Sequence, residues 1–288
     1  MPERKISVII PCFNCAKNIR RVLDGVIQQS LKPHEVICVD DASTDNTVDI
    51  LKTLDVHLVC HSSNQGPAAA RNTGFYASSG DLVVFLDSDA VPSANMIQWM
   101  VNVYDEHHDE KLAGVGGRGI ETIHEGVANQ WRIAHASQNW GNRRKRVPYL
   151  YGLCCSFKRE AFAVVGGFDP YFRINSGEDV DLGFRLQKAG YYLIYDPLIY
   201  IHHYHRDTPD SVLRVQFNWI LWNLIALQRN KRPIVRALLG AVGKSCLFLG
   251  QDLLRTKNLD LLQINILIWK NRIEALKVFF REYYGRSA

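Results

Sequence analysis

The sequence predicts an α/β fold with a mostly parallel central sheet, Rossmann-like and flanked by helices, followed by a helical C-terminal extension. Short, continuously apolar runs alternate with helical patterns from Ile6 to Leu86. Strands of that kind are buried on both faces of a parallel sheet. The signals are mixed from Leu112 onward and purely helical after Thr208. Together these observations predict an α/β domain with a helical tail.

The first half alternates strand and helix. The β-branched and apolar runs predict strands at 6–10, 36–39, 57–60 and 82–86. Apolar residues at helical spacing predict helices at 16–30, 43–54 and 67–76, the last with Pro67 in its first turn. Ligands of such sheets bind beyond the carboxyl ends of the strands. We therefore expect residues 11–14, 40–41 and 87–89 to meet along one edge.

The second half is less regular. A glycine-rich stretch at 114–119 precedes a predicted helix at 126–140 and a strand at 149–157. A helix at 180–189 is followed by two short strands, at 191–195 and 199–203, and by helices at 211–228, 233–254 and 259–283. This pattern predicts one domain at 1–208, divided near residue 115 into two halves, and a helical extension at 209–288.

Composition and charge exclude several classes of protein. The 288 residues are 47% hydrophobic and 22% charged, which excludes a disordered chain and a collagen-like repeat. The net charge is +5, but residues 229–288 hold 12 basic and 4 acidic side chains, a net of +8 that leaves −3 for the rest. No nucleic-acid-binding signature accompanies this charge, so we expect no nucleic acid partner. Basic helices with apolar faces indicate a possible contact with an anionic membrane surface, although the same helices could simply cover the core.

Cysteine usage and hydropathy bear on location. Seven cysteines, mostly within apolar runs, are typical of a reduced core. The pair Cys12 and Cys15 has the spacing of a redox motif, but core cysteines are the favoured interpretation. There is no signal-peptide pattern and no run of 18 apolar residues. These features predict a cytoplasmic protein, possibly peripheral on the inner face of the membrane.

Acidic residues follow two of the strands. Asp87 and Asp89 come directly after the fourth strand, where two carboxylates could face Mg²⁺ or Mn²⁺, although a solvated turn would have the same residues. Asp41 follows the second strand and could accept a hydrogen bond from a nucleobase or a ribose. The neighbouring Ser43 and Asp45 are explained by helix capping.

Three further groups carry chemistry. Glu178 and Asp179 lie in a glycine-led acidic loop, where a carboxylate can act as a general base and a helix cap is the alternative. Arg71, one turn into the third helix, could reach a diphosphate. Histidines at 202, 203 and 205 are potential metal ligands, and strand alternation places the first of them opposite the other two.

These pieces resemble, in type and order, the family 2 glycosyltransferases with their GT-A fold. The resemblance covers about residues 6–208 and is carried by the following motifs: Val8-Ile9-Ile10-Pro11-Cys-Phe13-Asn14, Val39-Asp40-Asp41-Ala-Ser43-Thr44-Asp45, Asn64-Gln65-Gly66, Ala70-Arg71-Asn72, Gly80-Asp81, Phe85-Leu86-Asp87-Ser-Asp89, Gly166-Gly167-Phe168-Asp169, Gly177-Glu178-Asp179-Val-Asp181-Leu182, Arg185, Gly190-Tyr191, Pro197 and His203.

The resemblance implies that residues 1–208 form a catalytic domain, with a nucleotide-sugar-binding half at about 1–115 and an acceptor half at about 116–208. It also implies a role for each matching residue. Asp179 would be the general base, supported by Glu178. Asp89 and His203 would hold a divalent cation, Mn²⁺ or Mg²⁺, with His202 and His205 left open as alternatives to His203. The implied nucleotide-sugar-binding residues are Pro11, Phe13, Asn14, Asp41, Gly66, Arg71, Asp87 and Ser88.

The implied activity is an inverting, metal-dependent transfer from a nucleotide-diphospho-sugar to a hydroxyl of a glycan, a lipid-linked sugar or a polysaccharide precursor. The donor nucleotide is expected to be UDP on frequency alone. The Gln-x-x-Arg-Trp motif of the processive synthases has no match, since Gln216 is followed by Phe-Asn-Trp, which predicts a non-processive enzyme. The alternatives are a sugar-1-phosphate nucleotidyltransferase and a catalytically silent membrane-associated partner with the same fold.

Overall fold

The computed structural model describes residues 4–107, 110–235, 237–240, 243, 247–248, 250–251 and 259–284. Packing divides the chain into two compact units. The sheet unit comprises Met1–Thr122 and Gln138–Tyr204, and the helical unit comprises Ile123–Ser137 and His205–Ala288. The segment 123–137 thus groups with the C-terminal helices, whereas the boundary predicted from the sequence ran through residue 208.

The sheet unit contains nine strands and six helices among its described residues. Its first elements are β1 (Ile6–Cys12), α1 (Ile19–Ile27), β2 (Glu35–Asp40), α2 (Thr47–Leu51), β3 (His57–Cys60), α3 (Pro67–Ala77), β4 (Leu82–Leu86), β5 (Ala90–Pro92) and α4 (Met96–Glu106). The next elements are β6 (Leu112–Glu121), β7 (Lys145–Val147), β8 (Cys154–Lys158), α6 (Arg159–Val164), α7 (Glu178–Lys188) and β9 (Tyr192–His203). The helical unit contributes α5 (Val127–His135), α8 (Pro209–Arg229) and α9 (Leu259–Tyr284).

All nine strands belong to one sheet with the order β3-β2-β1-β4-β8-β6-β9-β5, and β7 also pairs with β9. The strands β3, β2, β1 and β4 are mutually parallel, as predicted. Beyond β4 the sheet is mixed, because β8 is antiparallel to both β4 and β6 while β6 and β9 are parallel. The predicted α/β class is confirmed, and its parallel character resides mainly in the N-terminal half.

Apolar clusters cover the two faces of the sheet, which explains why β4 is apolar throughout and β1 is apolar except at Ser7. Alternate residues of β1 separate between the faces: Val8 and Ile10 pack with Val22 of α1, whereas Ile9 packs with Phe75 of α3. Burial on both faces is the expected condition of the parallel half of an α/β sheet. The strands are thus held rigidly, and their carboxyl ends are fixed in position.

Two predicted boundaries differ from the structure. The helix predicted from residue 16 begins at Ile19, because side chains of the β2–α2 loop take the backbone N–H groups before it: Thr47 Oγ1 accepts from Cys15 and Asp45 Oδ2 accepts from Ala16. The two short strands predicted at 191–195 and 199–203 form the single strand β9, which continues through Pro197 with a register shift against β6.

The helical unit has its own core. Trp131 of α5 is fully buried and donates to Asn265 Oδ1 of α9 at 2.7 Å, and Val212 and Ile268 pack in the same cluster. Thr208 caps α8 by a reciprocal pair of hydrogen bonds with Ser211. None of the described helices combines the length and hydropathy that crossing a bilayer requires. Ten of the 22 positions of the helix predicted at 233–254 lie outside the described residues.

Candidate functional site

The carboxyl ends of the parallel strands meet along one edge of the sheet, as the sequence predicts. The backbone N–H of Asp41, directly after β2, donates to the carbonyl of Cys12 at the end of β1 at 2.8 Å. The backbone N–H of His61, directly after β3, donates to the carbonyl of Asp40 at 2.8 Å. Asp87 follows the last residue of β4, the neighbour of β1.

The carboxylate of Asp41 is buried and holds the loop that precedes α3. Its Oδ1 accepts from the backbone N–H of Gln65 at 2.8 Å and lies 2.7 Å from His61 Nδ1, and its Oδ2 accepts from the N–H of Gly66 at 2.8 Å. A carboxylate offers about four acceptor positions. Three are occupied by the protein, so one remains for a ligand. The base-binding role of Asp41 stays a prediction.

Gly66 requires the absence of a side chain. Its φ is +91°, and a Cβ built on it would lie 2.4 Å from the backbone oxygen of Arg173. Any other residue would force the α3 loop away from the loop before α7. The structure thus gives Gly66 a packing role beside its predicted place in the nucleotide-sugar site.

The segment after β1 presents one exposed ring. Phe13 is 50% exposed at the sheet edge, although its neighbour Pro11 is half-buried within β1. Asn14 has a φ of +51°, and its Oδ1 accepts from the N–H of Thr44 at 2.8 Å. Asn14 therefore ties this segment to the β2–α2 loop, while Phe13 is the side chain with surface free for a planar ligand.

Arg71 is completely buried and joins the end of β4 to the start of α7. Its Nη2 donates to Asp87 Oδ1 at 2.7 Å and to Asn175 Oδ1 at 3.3 Å, and its Nη1 donates to Glu178 Oε1 at 3.0 Å. The guanidinium also lies 5.4 Å from the ring centroid of Phe168. Both terminal nitrogens are thus committed to protein partners. Donor binding by Arg71 stays a prediction. In the structure its guanidinium holds Asp87, Asn175 and Glu178 together.

Glu178 and Asp179 open α7 as adjacent carboxyl groups. Burial raises the pKa of Glu178 and of Asp179, and the charge of Asp179 raises that of Glu178 further, against the opposing charge of Arg71. Glu178 is almost wholly enclosed, whereas the side chain of Asp179 keeps partial access to solvent. A carboxylate with a raised pKa and access to solvent is suited to accepting a proton.

His203, at the end of β9, lies between two carboxylates. Its Nε2 lies 3.5 Å from Asp89 Oδ1 and its Nδ1 lies 3.0 Å from Glu121 Oε2 on the neighbouring strand β6. Burial lowers the pKa of His203, but hydrogen bonds to Asp89 and Glu121 outweigh it and raise it to about 10. One imidazole and one carboxylate thus converge directly after β4, where the sequence predicts a metal.

Three other predicted residues of this region have contacts of their own. His202 is half-buried on the opposite side of β9, pairs in register with Val91 and contacts the ring of Tyr200. His205 opens the second segment of the helical unit, where its Nε2 lies 3.5 Å from Asp207 Oδ1. Ser88 is half-buried between the two aspartates. The pKa of Cys15 is lowered mainly by a hydrogen bond with Cys12, and a hydrogen bond with Ser88 lowers it further.

Three residues of this site are not marked by any of the sequence motifs. Glu121 contacts His203, His61 contacts Asp41, and Asn175 accepts from Arg71. In each contact the two residues are far apart along the chain. Only strand register brings Glu121 opposite His203, and no sequence motif marks it.

Comparison with known proteins places this geometry in a family. A family model described as glycosyl transferase family 2 matches residues 7–166. The chain is 33% identical over 226 residues to the pre-mycofactocin glycosyltransferase of Mycobacterium tuberculosis, a match that covers 75% of this chain and 46% of that protein. It is 28% identical over 277 residues to glycosyltransferase AglE of Haloferax volcanii, covering 87% and 86%. The chain thus spans about half the length of the first of these relatives.

Solved structures show the same fold. The mannosyltransferase PcManGT from Pyrobaculum calidifontis, in complex with GDP-Man and Mn²⁺, superposes with a TM-score of 0.63 at 22% identity, over 95% of this chain and 87% of that one. TarS 1–349 from S. aureus, in complex with UDP-GlcNAc, superposes with a TM-score of 0.62 at 18% identity, over 98% and 82%. At these identities the similarity is one of fold.

Proposed function

We propose a function from the premise that the chain belongs to glycosyl transferase family 2, as the match over residues 7–166 shows. The predicted family, GT-A fold and glycosyltransferase class are thereby confirmed. The proposed reaction is the transfer of a sugar from a nucleotide-diphospho-sugar to an acceptor hydroxyl, with inversion at the anomeric carbon. UDP-GlcNAc and GDP-Man, bound in the structures of the two similar proteins, support this class of donor.

One observation carries the proposal. Arg71 bridges Asp87, at the motif that follows β4, and Glu178, the neighbour of Asp179. This buried link holds Asp87 and the start of α7 at a fixed separation. A donor bound beside Asp87 and an acceptor hydroxyl bound beside Asp179 would therefore meet at a fixed distance. Fixed positioning of two reactants is a principal source of enzymatic rate.

Asp179 is the proposed general base. Its Oδ1 accepts the N–H of Val180 at 2.8 Å, which orients the carboxylate. Because burial raises its pKa, Asp179 binds a proton more firmly than an exposed aspartate would. It accepts the proton of the acceptor hydroxyl as the oxygen attacks the anomeric carbon. Attack from the side opposite the departing diphosphate inverts the configuration, as in direct displacement by water in inverting glycosidases.

The residues at the end of β4 fit a divalent cation. With its Nδ1–H donated to Glu121, the imidazole of His203 turns its Nε2 toward Asp89, the arrangement that orients histidine ligands in metal sites. Nitrogen and carboxylate ligands together suit Mn²⁺. Asp89 and His203 would hold the ion, and Glu121 would fix the ring of His203. A cation there would offset the charge of the leaving diphosphate.

The test is incubation with a panel of nucleotide-sugars, with Mn²⁺ or with EDTA, and with candidate glycan acceptors. We expect metal-dependent release of a nucleoside diphosphate together with a glycosylated product in which the anomeric configuration is inverted. Pyrophosphate-dependent release of a nucleoside triphosphate would instead reveal a nucleotidyltransferase. The absence of donor binding across the panel would reveal a catalytically silent protein.

We also propose that α9 contacts an anionic membrane surface. Trp269 and Phe280 are 46% and 41% exposed, and Lys270 and Lys277 are exposed on the same helix. Two other residues of the basic, aromatic tail are turned inward: Phe279 is fully buried, and Arg272 is buried and donates to Gln216. Arg236 lies outside the described residues.

Co-sedimentation with phosphatidylserine vesicles tests this contact. We expect the wild-type chain to sediment and the variant Trp269→Ser/Phe280→Ser to remain in the supernatant. The matched control is Tyr76→Ser/Val164→Ser, which removes two exposed apolar side chains from the sheet unit. Equal sedimentation of both variants would refute a contact through α9.

A further inference from the structure

Four consecutive basic residues, Arg143 to Arg146, form an exposed segment that we call the basic loop. The last two residues of the basic loop are the first two of β7, an edge strand antiparallel to β9. None of the family motifs includes it, and the proposed transfer does not use it. It begins three residues after Trp140, which lies with Tyr149 in an aromatic cluster beside the proposed base.

Two of these four cations are already compensated. Arg144 makes ion pairs with Glu106 and Asp196, and the guanidinium of Arg146 stacks on the ring of Tyr192 at 3.8 Å from its centroid. Arg143 and Lys145 are exposed, and no acidic side chain among the described residues lies within ion-pair distance of them. Because Lys145 and the buried Val147 alternate with Arg146 along β7, Lys145 belongs to the face of the sheet that carries α7.

A third cation adjoins this pair. Arg118 of β6 donates from Nη1 to Asn142 Oδ1 at 3.4 Å, directly before the basic loop. Its Nε is buried and has no acceptor in the described part of the chain. The indole Nε1 of Trp140 is likewise buried with no acceptor there. A ligand with accepting oxygen atoms would satisfy both of these donors.

The aromatic cluster connects this group of cations to Asp179. Trp140, Tyr149 and Tyr151 lie within 5.0 to 5.8 Å of one another by ring centroids. Tyr149 packs against α7 one turn beyond Asp179, since a Cβ built on Gly183 would lie 2.7 Å from the Cβ of Tyr149. Burial also raises the pKa of Tyr151 to about 12, and the charge of Asp179 contributes to that rise. The hydroxyl of Tyr195 in turn donates to the backbone oxygen of Gly141 at 2.8 Å, next to Arg118.

We propose that Arg118, Arg143 and Lys145 form an anion-binding subsite for the acceptor, and that the acceptor is a sugar that carries a phosphate group. The sugar ring lies on the cluster of Trp140, Tyr149 and Tyr151, with its reactive hydroxyl at Asp179. This inference rests on the proposed function, since it assigns the acceptor of that same reaction.

The chemistry favours phosphate over a carboxylate. The three cations have no acidic partner in the part of the chain that the structure describes, and they match a group with nearly two negative charges and three accepting oxygens. Two of the three are arginines, whose forked donors suit a tetrahedral phosphate as well as a planar carboxylate. A neutral sugar would leave all three cations without a partner.

Binding of small probes tests the subsite without any donor turnover, so its failure can be told apart from failure of the proposed function. We would titrate the chain with glucose 1-phosphate, glucuronic acid and methyl glucoside, with EDTA present so that no metal-bridged diphosphate site forms. The change in fluorescence of Trp140, measured against Trp140→Phe, reports binding at the aromatic cluster. The test variant is Arg143→Ala/Lys145→Ala, and its matched control is Lys52→Ala/Lys188→Ala, which removes two exposed cations elsewhere in the sheet unit.

We expect glucose 1-phosphate to bind at least about tenfold more tightly than methyl glucoside, as a charge-assisted contact predicts. That preference should fall about tenfold in Arg143→Ala/Lys145→Ala and change less than about twofold in the control. Equal binding of the two probes by the wild-type chain, equal loss in both variants, or no binding at millimolar concentration would overturn the subsite. Preference for glucuronic acid over glucose 1-phosphate would overturn the choice of phosphate.

Discussion

The replacement Arg71→Met is predicted to destabilise the chain, and to do so more strongly as the pH rises. The guanidinium is 0% exposed and pairs with Asp87 and Glu178 at 2.7 and 3.0 Å. Methionine fills most of the volume but offers no donor. Asp87 retains some access to water, since its side chain is 17% exposed, whereas the Glu178 side chain is 3% exposed. The principal loss is therefore the partner of Glu178.

The magnitude follows from that buried, uncompensated carboxylate. Removing one partner of a buried ion pair costs about 3–5 kcal/mol. Loss of the second ion pair, with the more exposed Asp87, costs less than loss of a fully buried pair, because water can solvate the Asp87 carboxylate. We therefore expect the free energy of unfolding at pH 9 to fall by about 4 kcal/mol, and the melting temperature by roughly 10 °C for a chain of this size.

The dependence on pH has a definite sign. The folded-state pKa of Glu178 is raised by burial, and Arg71 opposes that rise. Without Arg71 the pKa rises further, so Glu178 stays protonated to a higher pH in the folded state. Stability associated with a raised carboxyl pKa is present at low pH and is lost as the pH rises toward the folded-state value. Burial raises the folded-state pKa of Glu178 to about 8 even beside Arg71, so both chains keep this proton below that pH. The cost of Arg71→Met should accordingly be smaller at about pH 6 than at about pH 9.

Urea unfolding of Arg71→Met at both pH values measures this, with Arg71→Met/Glu178→Gln as the second arm and Arg20→Met as control. Neutral glutamine needs no cation, so the double variant should recover about half of the loss at pH 9. Arg20 is exposed, and among the described residues its side chain donates only to Thr53. Arg20→Met should therefore change the free energy of unfolding by no more than about 0.5 kcal/mol. A cost independent of pH, with no recovery in the double variant, would refute the reasoning.

Three further predictions concern the donor side. Asp89→Ala should weaken Mn²⁺-dependent donor binding at least about tenfold in calorimetry while the melting temperature changes little; unchanged affinity would rule out Asp89 as a ligand. Glu121→Gln should weaken Mn²⁺ affinity by about 10–100-fold, because the ring of His203 loses its orienting carboxylate, and an effect as small as that of the exposed Glu160→Gln would contradict this. Phe13→Ala should raise the donor KM by about tenfold with little change in melting temperature, since its exposed ring is expected to stack on the base; an unaltered KM would refute stacking.

Much of the fold could be predicted because its signals are local. The apolar runs of β1 and β4 and the residues that follow them identify a parallel sheet and its binding edge. The shorter α1 and the undivided β9 could not be predicted. The start of α1 depends on the hydrogen bond that Thr47 Oγ1 accepts from the N–H of Cys15, and the continuity of β9 depends on its pairing with β6. Only the folded chain brings these partners together.

The site could be predicted as a set of residues but not as a set of contacts. Asp89 and His203 are adjacent in the structure as their motifs imply. Arg71 was expected to face the donor, yet both of its terminal nitrogens bind carboxylates or an amide of the protein. Motifs give the type of side chain, whereas partners such as Glu121 follow from strand register.

The central claim is that Asp179 is the base of an inverting sugar transfer. The most direct measurement compares Asp179→Asn with the wild-type chain in two assays, donor binding by calorimetry and the single-turnover rate of glycosyl transfer. The replacement keeps the shape of the side chain and removes its ability to accept the proton. We predict donor affinity within about twofold of wild type and a transfer rate lower by about 10²–10⁴-fold. A transfer rate close to that of the wild-type chain, with donor affinity intact, would contradict the claim.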